Sequence, residues 1–337
     1  MYRSAFLGCG GRARGHANAY SKVKRGEMVV LCDLNEERLN SFGDTYSVEK
    51  RYTDIHEMLD KEKPDLLHIV TQPDLRVPLM TIAAEHEVPV AIVEKPIALD
   101  STDYKTICEL EKNSKTKFVV NHQLRFHPKL IELRDDVIEG RIGEIRLIET
   151  SARLNMAGQG THVTDLMFAM NNYADPESVM GQAHGTNGFN TNHPTADEAE
   201  AYVTFKNGVH GLLVIGKNAP SVGDYPQHFH KRVAVYGTEG FVHWQMEAWE
   251  KKTKDGTYEK GAKSYRDQDL LGQAGLTDAA FDWLEDDSKV HPNNLETSLK
   301  EFSVILGIFQ SVVNRAPVYL PTDPPDGVLQ ALKDALS

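Results

Sequence analysis

The stretch that most restricts the fold is Gly8-Cys9-Gly10-Gly11-Arg12-Ala13, which fits G-x-G-x-x-A. It lies between an apolar run, Ser4-Ala5-Phe6-Leu7, and a helical segment carrying His16, Ala17 and Tyr20. Glycines at this spacing permit a tight strand-to-helix turn and let a pyrophosphate approach the amino end of the helix. The surroundings strengthen the motif. A second apolar strand, Met28-Val29-Val30-Leu31-Cys32, ends in Asp33, 20 positions after Ala13, where the ribose-binding acid of a dinucleotide site belongs.

Asp33 also discriminates between cofactors. Its carboxylate can accept ribose hydroxyls but meets the 2′-phosphate of NADP as a like charge. At ~4 Å and an effective dielectric near 20, each such charge pair costs roughly 4 kcal/mol before screening. NAD is therefore expected in preference to NADP. Arg12, Arg14 and Arg38 are read as phosphate neighbours or solvated surface.

The alternation continues with helices over 35–42 and 53–61, a strand over 66–70, a helix over 75–85 and a strand over 90–93. A helix over 101–113 and a strand over 117–121 follow. Asp54 and Glu57 have capping-box spacing. This βαβ rhythm predicts a doubly wound parallel sheet, a Rossmann domain over residues 1–122. The loop Thr71-Gln72-Pro73 leaves a strand end and is a candidate cofactor contact, whereas His68, inside its strand, reads as a packed core residue. The next strand, Ala91-Ile92-Val93, runs directly into Glu94-Lys95-Pro96. A lysine at the carboxyl end of a buried strand lies where open α/β sheets bind ligands, and the proline fixes the chain direction after it.

Gly8 to Ala13, Asp33, the Thr71–Arg76 loop and Glu94-Lys95-Pro96-Ile97-Ala98 together resemble the Gfo/Idh/MocA family, the glucose–fructose oxidoreductase and inositol dehydrogenase group. The resemblance implies a nicotinamide cofactor, sugar or cyclitol substrates, a catalytic role for Lys95 and a cis Lys95-Pro96 bond. It implies cofactor contacts from Gly8, Cys9, Gly10, Gly11, Arg12, Ala13, Asp33, Thr71, Gln72, Pro73, Glu94 and Lys95. Through Phe205-Lys206-Asn207-Gly208 and Tyr236-Gly237-Thr238-Glu239-Gly240 it extends over nearly the whole chain. It also places the family's catalytic histidine at His162, in Gly160-Thr161-His162. The aspartate that usually stands four residues earlier is here Gly158. Gln159, Asp165, Asn155 or a residue from a distant loop is left to take its place.

The second half, residues 123–337, reads as an α+β substrate-binding and oligomerisation domain with a mostly antiparallel open sheet. Pro128 suits the first turn of a helix running to Glu139. Strands are expected over 144–155, 178–186, 199–205, 209–217, 232–236 and 241–249, with Asn207-Gly208 as a hairpin turn. A helix opens at His162 and places Asp165 on the same face. Arg125, Asn155, Gln159, Asp165, Tyr225 and His228 are candidate substrate contacts. His228 and His230 are read as alternating on one strand face, with His193 and His210 as further imidazoles, but no spacing resembles a zinc site and no metal is expected. Near the end, Phe281 and Trp283 belong to a short helix. Asn293 is expected to cap the next one, in which Leu295, Leu299, Phe302, Leu306, Phe309 and Val313 form an apolar stripe.

Composition agrees with two cores: 337 residues, 40% hydrophobic and 26% charged, suffice for two domains. No apolar run reaches the ~20 residues of a membrane helix. Cys9, Cys32 and Cys108 have neither paired nor zinc-like spacing, so free thiols in a reducing, cytoplasmic compartment are expected. A net charge of −12 argues against broad nucleic-acid binding. An open sheet face calls for cover, and a homodimer or homotetramer is the expected assembly. The functional expectation is an NAD-dependent dehydrogenase acting on a secondary hydroxyl of a sugar, glycoside or cyclitol. Two alternatives are redox-neutral glycoside cleavage with retained NAD and a non-catalytic dinucleotide-binding sensor.

Overall fold

The computed structural model describes every residue, Met1–Ser337. The chain divides into two compact units. The first comprises Met1–Ala98, Asp103–Phe126 and Asp269–Ser298; the second comprises Leu99–Thr102, His127–Gln268 and Leu299–Ser337. In chain order the first half contains β1 (Tyr2–Leu7), α1 (Gly11–Ala19), β2 (Gly26–Cys32), α2 (Glu36–Tyr46), β3 (Lys50–Tyr52), α3 (Ile55–Glu62) and β4 (Leu66–Ile69). It continues through α4 (Arg76–Glu85), β5 (Val90–Val93), α5 (Ser101–Asn113) and β6 (Lys117–Val120).

The six strands form one parallel sheet in the order β3-β2-β1-β4-β5-β6. Strands β4 and β5 are buried along their whole length, which is why they read as unbroken apolar runs. The strand order reverses beside β1, and ligands of such sheets bind outside the carboxyl ends at that switch point. The ladders pair Leu7 with Cys32 and Ile69, Ile69 with Val93, and Val93 with Val120. Gly8, Asp33, Val70, Glu94 and Asn121 therefore all stand one residue beyond the same edge. The Rossmann expectation holds, and β3, too short and polar to stand out in the sequence, adds the outer strand.

On one face Phe6, Leu31, Phe42 and Val70 pack with Ala13 and Ala17 of α1. Another cluster joins Leu66, Val90, Ile92 and Val119 to Leu276, Ala280 and Phe281. Those last three lie far beyond residue 122, yet Asp269–Ser298 belongs to the first unit. An apolar stripe needs a sheet face to cover, and sequence distance does not restrict which one. The helix that carries it is α8 (Tyr265–Glu285), 21 residues long rather than short.

The second half contains α6 (Pro128–Ile138), β7 (Ile145–Ala152), α7 (Thr161–Met170), β8 (Pro176–His184), β9 (Glu198–Phe205), β10 (His210–Ile215) and β11 (Arg232–Gly237). Then come β12 (Phe241–Gln245), β13 (Ala248–Lys252), β14 (Tyr258–Ala262), α8, α9 (Leu295–Asn314), β15 (Val318–Tyr319) and α10 (Val328–Leu336). Its nine-stranded sheet runs β14-β13-β12-β11-β7-β10-β9-β8-β15. Only the β10–β7 pair is parallel, so the sheet is mostly antiparallel as expected.

Four local expectations change. The run 241–249 is two strands, because Trp244 pairs with Trp249 across a tight turn while the apolar pattern continues through buried Met246. Asn294 rather than Asn293 caps α9: its Oδ1 accepts the Thr297 amide at 2.9 Å, whereas the Asn293 carbonyl accepts the Val120 amide. His228 lies in a one-turn 3-10 segment, Gln227–Phe229, so it and His230 do not share a strand face. The long loop after Ala152 contains a π-helical turn, Met156–Gly160, which leads into α7.

Candidate active site

The amino end of α1 is built to receive an anion. Its first amides have no intrahelical partners, and Gly10, the residue before the helix, makes no side-chain cap bond. A Cβ on Gly10 or Gly11 would meet nothing within 4 Å, so the surface above these amides is open. Gly8 is different: at φ +93° it takes a conformation that other residues rarely adopt, and a Cβ there would collide with the Val70 carbonyl oxygen. The residues present therefore fit a dinucleotide. If a dinucleotide binds at this edge, the amides of Gly10, Gly11 and Arg12 are the groups that would hold its pyrophosphate, and Asp33 a ribose.

Asp33 is buried and saturated with donors. Oδ2 accepts the Cys9 amide at 2.8 Å and Arg38 Nε at 2.9 Å, while Oδ1 accepts the Asn35 amide at 2.9 Å and an Arg38 terminal nitrogen at 2.6 Å. Burial raises its pKa, but Arg38 and the two amides outweigh that and hold it below the usual carboxylate range. Arg38, half exposed, therefore pairs with Asp33 through two of its nitrogens. The Arg12 side chain is also engaged, donating to Glu94 at 2.7 Å and to Gln273 at 3.3 Å. Thr71, Gln72 and Pro73 form the start of the loop after β4 on the same edge, and Ala13 is packed inside α1.

Glu94 gathers three donors on a single oxygen. Arg12 Nε, His16 Nε2 and Asn121 Nδ2 all reach its Oε1, at 2.7, 2.8 and 2.8 Å. Asn121 is itself held by Gln273, whose Nε2 donates to its Oδ1 at 2.9 Å. Burial opposes ionisation of Glu94, yet Arg12, His16 and Lys95 keep its pKa well below the ordinary value. For Lys95 the balance goes the other way. Desolvation lowers its pKa to about 8; Glu94 opposes that shift, whereas Arg12 and Arg76 reinforce it. The Lys95-Pro96 bond is cis. His16, Asn121 and Gln273 were not among the sequence candidates. The only signal for His16 was its place on α1, four residues before Tyr20.

In the second unit His162 and Asp165 are buried in the first turns of α7. Asn155 occupies the space beside Gly158: its Oδ1 accepts the Gly158 amide at 2.9 Å, and a Cβ on Gly158 would lie 2.8 Å from that oxygen. A larger residue at 158 requires the Asn155 amide to move. A cavity of about 520 Å³ opens here, lined by Arg153, Asn155, Asn192, His193, Glu198 and Lys217 among others. Its charges are partly internal, since Lys217 lies 3.2 Å from Glu198. Of the candidate substrate residues only Asn155 lines it, with Gln227 in place of its neighbour His228. Gln159 and Tyr225 stand outside its lining, and Arg125 is a buried structural residue of the first unit, donating to the Pro292 carbonyl at 2.8 Å.

Residues 2–122 match the family model described as the GFO_IDH_MocA oxidoreductase family, NAD-binding Rossmann fold. The match covers about a third of the chain and is a likeness of that part. D-apiose dehydrogenase of Paraburkholderia graminis is 30% identical over 142 residues, 42% of this chain and 38% of that protein. The chain thus matches about two fifths of the first curated relatives' length. Myo-inositol 2-dehydrogenase of Thermotoga maritima is 22% identical over 260 residues, covering 71% of this chain and 74% of that protein. An oxidoreductase from Agrobacterium radiobacter, solved with NAD+, L-tartaric acid and magnesium, superposes with a TM-score of 0.81 at 20% identity over 94% of this chain and 98% of that one. That likeness concerns the fold. No helix of the chain is long and apolar enough to cross a membrane.

Proposed function

We propose that this protein is an NAD-dependent dehydrogenase that oxidises a secondary hydroxyl of a sugar, glycoside or cyclitol. The observation that carries the reading is Lys95. It stands at the carboxyl edge of a dinucleotide-binding sheet, its pKa is lowered to about 8, and its neighbour Glu94 is held ionised by three donors. A general base works best when its pKa lies near the operating pH. NAD, when bound, supplies the hydride acceptor. Lys95 in its neutral form takes the hydroxyl proton, and in its charged form steadies the alkoxide-like oxygen in the reverse direction. His162 is the proposed second proton-transfer group, on the strength of its match to the family's glycine-small-histidine segment. With Gly158 in place of the usual aspartate it lacks that acid's support, which shifts the base role towards Lys95.

The substrate class is supported by the names of the relatives; the cavity of the second unit, whose lining includes neither Lys95 nor His162, has a volume in the range of about 300–1,000 Å³ common for small-molecule sites. Its lining mixes amides, an imidazole and both signs of charge, as a polyhydroxylated ring requires. Lys95→Ala should lower turnover by about three orders of magnitude while NADH binding, read by fluorescence titration, stays within twofold. A sugar and glycoside panel with NAD, followed by NADH absorbance and by aglycone release, tests the reaction type. Net NADH supports the proposal; aglycone without net NADH would replace it with redox-neutral cleavage.

A further inference from the structure

Behind Lys95 a line of hydrogen bonds runs from α1 through the middle of the sheet to Glu94. Tyr20 Oη lies 2.8 Å from His68 Nε2, His68 Nδ1 3.1 Å from His16 Nδ1, and His16 Nε2 2.8 Å from Glu94 Oε1. Both imidazoles are wholly buried, and the Phe6 ring stacks on His68 with centroids 4.3 Å apart. His68 sits inside β4, paired with Phe6 and Ile92, so it has no freedom to leave the line.

The proton inventory allows one polarity. An ionised carboxylate only accepts, and Asn121 Nδ2, which also lies 3.1 Å from His16 Nε2, donates to Glu94 Oε1 at the shorter 2.8 Å, so His16 Nε2 carries the hydrogen. Desolvation keeps His16 neutral despite the opposing pull of Glu94, and its Nδ1 is then an acceptor. His68 must donate from Nδ1. Burial and the neighbouring His16 keep it neutral too, which leaves its Nε2 to accept the Tyr20 hydroxyl, a phenol that desolvation keeps protonated. Every bond therefore donates towards Glu94. A lone buried histidine can take either tautomer; this pair is restricted to one tautomer each.

We propose that Tyr20, His68 and His16 form a directional relay that fixes the pose and charge of Glu94 beside Lys95, making His68 and Tyr20 positioning residues for the proton chemistry. The inference rests on the reading of Lys95 given above, but the relay belongs to the unliganded chain and is testable without substrate. The other charged groups in play are Arg12 on α1 and Arg76 on α4, which face Lys95, and Asp269 on α8, which acts on His16. Weakening the relay either lets Glu94 take up a proton or loosens its pose. Both reduce the negative field that raises the Lys95 pKa, so the Lys95 titration moves down.

The experiment is an NMR titration of lysine-13Cε-labelled protein, with the Lys95 resonance assigned by its loss in Lys95→Arg. Imidazole 15N shifts are recorded alongside. In the wild-type protein His16 should be the Nε2–H tautomer and His68 the Nδ1–H tautomer. Glu94→Gln should lower the Lys95 midpoint. His68→Leu should move it in the same direction by about half a pH unit, a threefold change in the ratio of forms, and Tyr20→Phe by less. His68→Asn, whose Nδ2 carries an N–H where His68 Nδ1 stands, should restore the midpoint. If His68→Leu does not fold, Tyr20→Phe and His68→Asn decide between the outcomes. The opposite tautomers, or a Lys95 midpoint that no relay variant moves, would overturn the proposal. Should Lys95→Ala remain a fully active dehydrogenase while these shifts occur, the catalytic reading fails and the relay stands.

Discussion

Lys95 owes its proposed role to a balance between two terms of opposite sign. Desolvation favours the neutral amine, Glu94 favours the ammonium, and the result is a pKa of about 8. If neutral Lys95 is the base, kcat/KM for alcohol oxidation rises about tenfold per pH unit below pH 8 and levels off above it. Carbonyl reduction needs the charged form, so it is level below pH 8 and declines about tenfold per pH unit above it. A nicotinamide cation beside the amine lowers its pKa further, so the limb in kcat for oxidation should fall at lower pH than the limb in kcat/KM. Matched pH profiles in both directions check this, and an oxidation rate that falls through pH 8 would contradict it. At Asp33 the structure adds what the sequence lacked. Arg38, half exposed, is the one donor to that carboxylate that a ligand can displace. Asp33→Ala frees the guanidinium and removes the like charge, and should shift the ratio of NADH to NADPH affinity tenfold or more towards NADPH. Arg38→Ala should shift it the other way, both read by fluorescence titration.

Elements were legible where one residue type has few physical alternatives. Gly8 must adopt positive φ, a short apolar run bounded by turn residues must be buried on both faces, and Asp33 follows its motif at a fixed distance. Asp54 caps α3 as its spacing indicated, accepting the Glu57 amide at 2.8 Å. The α9 cap was misplaced by one residue, since Asn293 and Asn294 are chemically equal and only the fold shows which side chain faces the helix. Asn294→Ala should therefore cost about 1 kcal/mol in urea denaturation, with the loss confined to the denaturation midpoint and the slope unchanged. The network around Glu94 was illegible for another reason. His16, His68, Glu94, Asn121 and Gln273 come from five separate parts of the chain, and each taken alone fits a plain helix or strand position. Register brings Glu94 and Asn121 to one edge, and no periodicity in the sequence encodes register.

At the scale of the whole molecule, the nine-stranded sheet has one face occupied by its own helices and one that is not. Ile308 of α9 lies against Gly181, and α7 crosses β7 and β11. On the opposite face Met180 pairs with Tyr202, and Tyr202 with Leu212, forming an apolar row across β8, β9 and β10. Met180 is 52% exposed and Tyr202 46%, a large apolar area to leave in water on strands whose inward residues are fully buried. A two-fold axis over such a row would bring the same residues of each copy together. A homo-oligomer built on this face is the proposed assembly. Light scattering coupled to size exclusion should give at least twice the chain mass of 37.7 kDa. Met180→Glu combined with Tyr202→Glu places like charges on both sides of the axis, and should return the mass to a single chain while the Rossmann unit still binds NADH. A wild-type protein that runs at 37.7 kDa across the micromolar range would overturn the assembly by showing that no second copy covers this face.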